Sequence, residues 1–298
     1  MNSAEWGSDR VMLLIVGILV VIGCTFGGYV AMGGKLGVLW QPFEVVIICG
    51  AALGAFIIAN PMPVIKSSVG AIKHVMKGSK FNKDSYLELL TLQFQVYKLA
   101  RTKGFLALEQ HIENPEGSSL FQQFPKFSAD HHAVEFFCDY LRMIGLGADN
   151  PHEMETLMDE EIETHHHEQH AVAGAIQTVA DGMPALGIVA AVLGVIKTMG
   201  SITEPPEVLG KLIGGALVGT FLGVWLSYGF LAPIAGKAQA VYDAEGKYFQ
   251  CIKAGLLAYM HGSSPPVAVE FARKALLSHD RPSFAEVEQA LDGLPPAG

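Results

Sequence analysis

The sequence predicts an all-α integral membrane protein with four transmembrane helices and a helical domain outside the bilayer. Three observations predict it. Half of the 298 residues are hydrophobic and only 16% are charged, against about a quarter charged in soluble chains. The apolar residues gather in two pairs of long runs, one pair near the N-terminus and one in the last half. No stretch of any length alternates polar and apolar residues as a strand requires.

A spanning helix needs about 20 mostly apolar residues. Val11–Met32 and roughly Val38–Ala59 meet this, with only the turn Gly33–Gly37 between them, so residues 1–60 form a first hairpin. Residues 61–178 are polar-rich. The third span runs from about Gly182 to Met199 and the fourth from about Leu209 to Gly236, joined by Gly200–Val208, which carries Pro205 and Pro206. Residues 179–236 are thus a second hairpin, and 237–298 a helical tail.

Lys66, Lys73, Lys77 and Lys80 follow the second span, whereas the hairpin turn carries only Lys35. The positive-inside rule puts the large loop in the cytoplasm, and four spans put both termini there too. The first run is long enough to span and is not expected to be a cleaved signal. A net charge of −9 excludes an electrostatic footprint for nucleic acid. Cys24 and Cys49 lie in apolar runs, and Cys138 and Cys251 have no paired spacing. That is no disulfide framework, and it fits a reducing, cytoplasm-facing domain. No cofactor is expected.

The polar segments read as helices. Leu87, Leu90, Phe94 and Tyr97 recur at helical spacing between Asp84 and Arg101, and Met154, Leu157, Met158 and Ile162 do so later. Gly104 and Asn114-Pro115 mark breaks. Ala238–Gly262 continues the fourth span as a helix. Two shorter helices follow, Pro265 to Leu277 and Pro282 to Leu291, with proline in the first turn.

Within the spans, small residues stand four apart: Gly23 and Gly27, Gly50 and Gly54, Gly187 and Ala191, and the series Gly215, Gly219, Gly223. Such spacing lets helices approach closely. It fits a tight bundle or contacts between copies, and four sticky helices are more than one bundle uses. Counting about ten residues into the last two spans sets Ala190, Ala191 and Thr220 near one midplane level. A lone threonine in a span usually bonds its own backbone. Together with Ala216, Gly223 and Ser227 it could instead line a wet path. Pro184 and Pro233 sit at matching depths, either as ordinary membrane-helix prolines or as a paired hinge. Glu44 is the one carboxylate well inside a span, roughly 9 Å deep. It is either a functional acid or an interfacial hydrogen-bonding group.

His165, His166, His167 and His170 invite a metal reading, since His166 and His170 are i, i+4. The zincin pattern requires Glu directly after the first histidine, and here Glu168 comes two later. No metal site is expected.

Several stretches together carry a family likeness. They are Phe26-Gly27-Gly28-Tyr29 with Leu39 to Glu44 (LWQPFE), Glu109 to Pro115 (EQHIENP), Leu157 to His165 (LMDEEIETH), Gly182 to Gly194 (GMPALGIVAAVLG), Val218 to Gly223 (VGTFLG), Pro265 to Lys274 (PPVAVEFARK) and Arg281 to Phe284 (RPSF). Across nearly its whole length the chain resembles the MotA family, the A subunits of the bacterial flagellar stator. The resemblance implies a protein of the inner membrane that is not an enzyme. It implies a ring, expected to be a pentamer, around a dimer of B-type (MotB-like) subunits that supply the ion-accepting aspartate. Ion flow would turn the ring and push the rotor protein FliG. The family's rotor-facing charges fall on Arg101 and Glu109, its two key prolines on Pro184 and Pro233, and its pore-lining threonine on Thr220. Sodium-driven relatives carry threonine where this chain has Ala191, which implies proton coupling. The His166–His170 stretch is outside the family pattern. Energisers of the ExbB/TolQ type are the nearest alternative, but they have three spans. An enzyme or metal transporter would need ligands converging from several spans, and these spans supply almost none.

Overall fold

The computed structural model describes residues 3–294. In chain order the helices are α1 (Ser3–Ala31), α2 (Pro42–Ala59), α3 (Met62–Lys77), α4 (Lys83–Lys103), α5 (Leu106–Glu113), α6 (Pro125–Ser128), α7 (His131–Gly145), α8 (Pro151–Met199), α9 (Pro206–Leu226), α10 (Ala232–Met260), α11 (Pro265–Lys274) and α12 (Phe284–Asp292). No strand occurs among the described residues. Among the described residues, four stretches are long and apolar enough to cross a membrane: Met12–Ala31, Leu36–Ala59, Pro151–Met199 and Pro206–Met260.

The described residues divide into two compact units. The first holds residues 3–78 and 168–241, which include the spans, and the second holds 79–167 and 242–294. Two helices are longer than the apolar runs alone define. Pro184 is the one proline inside α8, and the third span is the last part of this 49-residue helix. The fourth runs from α9 through a π turn, Ser227–Leu231, directly into α10.

In the membrane unit, α1 ends in a Schellman turn. Gly33 takes φ +85°, its N–H reaches Val30 O, and that of Gly34 reaches Tyr29 O, which satisfies carbonyls the helix end leaves free. A 3-10 turn, Leu36–Leu39, then leads into α2, with Pro42 in its first turn. Trp225 Nε1 donates to Thr25 Oγ1 at 3.2 Å, which ties α1 to α9 inside apolar surroundings. The spans bury little of their apolar surface within one chain. Leu13 is 66% exposed and Ile58 88%, so lipid or neighbouring chains must cover them.

The polar unit has a conventional core. Helix α4 is buried almost all round, with Leu89, Leu90, Leu92, Val96 and Tyr97 at 0% exposure. It packs against α5, α6, α11 and α12. The expected stripe was narrower than the face used: Leu90 and Tyr97 are fully buried, while Leu87 and Phe94 flank the core. Met154 and Met158 are buried, but Leu157 is 45% exposed. The last helix starts differently from its expected form. Ser283 caps it in a reciprocal box with Glu286, so Pro282 lies before the cap rather than in the first turn.

Candidate functional site

The site grows from the crossing of α8 and α9. A methyl group built on Gly223 would fall 2.5 Å from Met183 O and 2.8 Å from Gly187 Cα. One built on Gly187 would fall 2.7 Å from Gly219 O. The two backbones therefore touch, which only glycine permits here. One turn further along, the place a Gly219 methyl would take is lined by Ala190 Cβ and Ala191 N, both at 3.1 Å. Ala190 is fully buried and Ala191 is 9% exposed. Both thus pack the seam beside Gly219, at the level of Thr220.

Thr220 itself is half-buried. The hydroxyls of Thr178 and Thr198 donate to Gly174 O and Gly194 O, each at 2.9 Å and each four residues back. Thr220 makes no such bond among those described, so its hydroxyl is available to a group from outside the chain.

The two prolines are handled by specific devices. Pro184 has no N–H, which leaves the carbonyl four residues earlier, Ala180 O, without its helical donor. Ser227 Oγ donates to that carbonyl at 2.6 Å, and Ser227 is 1% exposed. The helix runs through Pro184 unbroken. Ser227 also opens the π turn, where Ala232 N–H donates to Ser227 O, five residues back. This widening precedes Pro233, whose ring would crowd the Gly229 carbonyl in a regular α-helix. The serine read from the sequence as part of a polar stripe is therefore the partner of the proline on the neighbouring span. Finding it requires knowing that α8 and α9 are paired at that register.

Glu44 also belongs to this crossing. Its Oε2 lies 2.6 Å from where a Gly219 methyl would be, and its Oε1 lies 3.3 Å from a Gly194 methyl. A count along α2 alone hides this, because both partner residues lie far along the chain, on α8 and α9.

In the polar unit, Arg101 lies in the last turn of α4 and Glu109 in the first turn of α5, with Gly104 at φ +80° reversing the chain between them. Both are exposed, and no ion pair joins them among those described. Arg101 Nη1 donates to Ser263 O at 3.2 Å. Glu109 rims a depression of about 380 Å³ floored by Phe105, Ile112 and Leu141, with Leu106 and Leu146 exposed beside it at 82% and 83%. Three of the four histidines lie against named protein groups, and His166, His170 and Asp243 bring one ligand atom each within 4.8 Å of one another. The His165 ring lies 5.4 Å from that of Phe249, His166 Nε2 lies 3.0 Å from Asp243 Oδ1, and His167 Nε2 lies 3.1 Å from Glu163.

Comparisons with known proteins agree with this architecture. Residues 15–104 match the family described as motility protein A N-terminal, and residues 128–250 match the MotA/TolQ/ExbB proton channel family. The chain is 47% identical to motility protein A of Salmonella typhimurium over 93% of this chain and 94% of that one. It is 46% identical to motility protein A of Escherichia coli over the same shares, and 37% identical to chemotaxis protein LafT of Vibrio parahaemolyticus over 94% and 98%. The fold matches the C. jejuni MotAB structure at a TM-score of 0.74 and 21% identity, covering 91% of this chain and 98% of that one. It matches the Bacillus subtilis flagellar MotAB stator complex at 0.71 and 25% identity, covering 92% and 99%. These are motor and channel proteins, not enzymes. The chain belongs to the motility protein A family.

Proposed function

We propose that the chain is the A-type subunit of a flagellar stator in the bacterial inner membrane. With a B-type, MotB-like dimer it couples proton flow to rotation and to torque on the rotor protein FliG. The observation that carries this reading is likeness to motility protein A over 93% of the chain, first hairpin included. The channel family model is shared with ExbB and TolQ. The N-terminal match belongs to motility protein A and favours the motor.

Four features support the finer parts. The lysines after the second span set the 61–178 loop and both termini in the cytoplasm. Methyl groups built on Gly23, Gly27, Gly50 and Gly54 meet nothing within 4 Å, so the small faces of the first two spans are free for neighbouring copies in a ring, taken as a pentamer, and for lipid. Thr220, backed by Ala191 and Ala190, lines the ion path, and Pro184 and Pro233 couple the spans to the polar unit. Arg101 and Glu109, exposed and not paired with each other, suit a surface that engages opposite charges on a rotor.

The test is complementation. Expressed with its B-type partner in cells lacking a stator, the chain restores swimming. Reversing Arg101 or Glu109 impairs swimming with insertion and partner binding intact, and a compensating reversal on the rotor recovers part of the loss. Single reversals that leave motility untouched would remove the rotor assignment.

A further inference from the structure

Glu44 stands where nothing in the torque mechanism uses it. It lies in the first turn of α2, where an acidic side chain ordinarily serves the free amides of its own helix. Its Oε2 is buried and has no hydrogen-bond partner, so that use does not account for it. The side chain instead enters the seam between α8 and α9. The room is made by one glycine from each helix, Gly194 facing Oε1 and Gly219 facing Oε2. Alanine at either position would crowd the carboxylate or its neighbours: the Gly194 methyl would fall 2.7 Å from Ala216 Cβ, and the Gly219 methyl 2.6 Å from Oε2.

The level matters. Gly219 is roughly 20 Å along α9 from Pro206 at 1.5 Å per residue, and it adjoins Thr220 in the chain. The carboxylate therefore sits in the α8–α9 seam between Gly194 and Gly219, one residue along α9 from the proposed ion path at Thr220. The charged group that acts on it is Lys197 of α8, which is exposed, and the contacts described on α9 are to uncharged residues. A carboxylate inside a span with one oxygen buried and without a donor is costly to keep unless it exchanges something.

We propose that Glu44 is a proton-binding group of this chain, placed ahead of the partner's carrier on the inward path. It takes a proton from water on the side of the 32–41 and 200–205 connections and delivers it to water hydrogen-bonded to Thr220. Only O–H bonds change: hydronium protonates Oε2, the carboxyl then gives the proton to the Thr220-side water, and the carboxylate is restored. The inference rests on the stator reading and adds a titratable step on the A-type chain itself.

The experiment uses the full chain with an unplugged B-type subunit in vesicles. Proton uptake is followed against outer pH at fixed voltage. The wild type should show an inflection with outer pH. Glu44→Gln, which keeps the shape and removes the titration, should cut uptake several-fold and abolish the inflection. Uptake equal to wild type, or a reduced rate with the inflection unchanged, would overturn the proposal, the latter by making Glu44 a mere wedge. If the Gln variant does not co-purify with its partner, Glu44→Asp decides: it should keep the inflection at a reduced rate, and a wild-type rate would refute the relay. No uptake from the wild-type pair would instead defeat the stator reading, so the two failures are distinguishable.

Discussion

At Gly223 one methyl group decides whether two spans can touch. Its neighbours are backbone atoms of Met183 and Gly187, which cannot move without separating the helices. Gly223→Ala should therefore cost about 1–3 kcal/mol of stability, the usual range for overpacking. A lowered melting temperature in detergent and weaker co-purification with the B-type partner would register it. Gly27→Ala and Gly54→Ala meet open space. They should change the protomer's stability by no more than about 0.5 kcal/mol, leaving its melting temperature nearly unmoved, and weaken self-association instead. If Gly27→Ala lowers the melting temperature as much as Gly223→Ala does, the first two spans pack inside the protomer after all. At this scale the sequence displayed the glycine spacing but not which pairs were used. Every span carries the motif, and only the register of α8 against α9 selects Gly187, Gly219 and Gly223. Depth counting singled out Thr220 as a candidate, but that its hydroxyl makes no back-bond among those described was not legible.

Among elements, the coupling of Pro184 to Ser227 makes a sharper prediction. Ser227→Ala leaves Ala180 O without a donor and should cost about 1–3 kcal/mol. In a Pro184→Ala background the helix supplies its own N–H to that carbonyl, so the same serine change should cost much less. A double-mutant cycle on thermal or denaturant stability measures the difference. Additive effects would mean that the 2.6 Å bond carries no such role. A second element-level link joins α12 to α4 through Lys83 Nζ and Glu286 Oε1, 2.7 Å apart. The Lys83 hydrogen bond, with that of the Ser283 backbone, pulls the Glu286 carboxyl down to about 2, against an ordinary value near 4.3. Because the folded value lies below the unfolded one, the stabilisation is present above roughly pH 4 and is lost as pH falls toward 2. Glu286→Gln should flatten that part of the acid-unfolding profile; an unchanged profile would show that the pair is screened by solvent. The helices themselves were largely legible, since 20-residue apolar runs and 3.6-residue periodicity leave few alternatives. Their joins were not. Continuity of α8 through Pro184 depends on Ser227 from another span, and the π turn before Pro233 has no signature apart from the proline.

For the whole molecule, the account is that of a ring subunit with an ion path it cannot complete alone. The resemblance implies a hydroxyl in sodium-driven relatives at the place where this chain has the Ala191 methyl group. A sodium ion needs oxygens to replace its lost waters, whereas a proton needs only acceptors and a hydrogen-bonded route. Motor speed should therefore follow proton-motive force and ignore external sodium. Speed that tracks sodium at constant proton-motive force would contradict this. The dependence on a partner follows from the seam. Beyond Glu44 and Thr220, α8 and α9 close backbone to backbone at Gly187 and Gly223. No further acid occurs along α8 before Asp181, and crossing the bilayer centre without a titratable group or water is costly. The most direct measurement is proton uptake by vesicles holding this chain alone, compared with vesicles to which an unplugged B-type subunit has been added. The account predicts no uptake from the chain by itself, uptake once the partner is present, and weaker uptake from an intact complex carrying Thr220→Val. Robust proton flux through the chain on its own would contradict it.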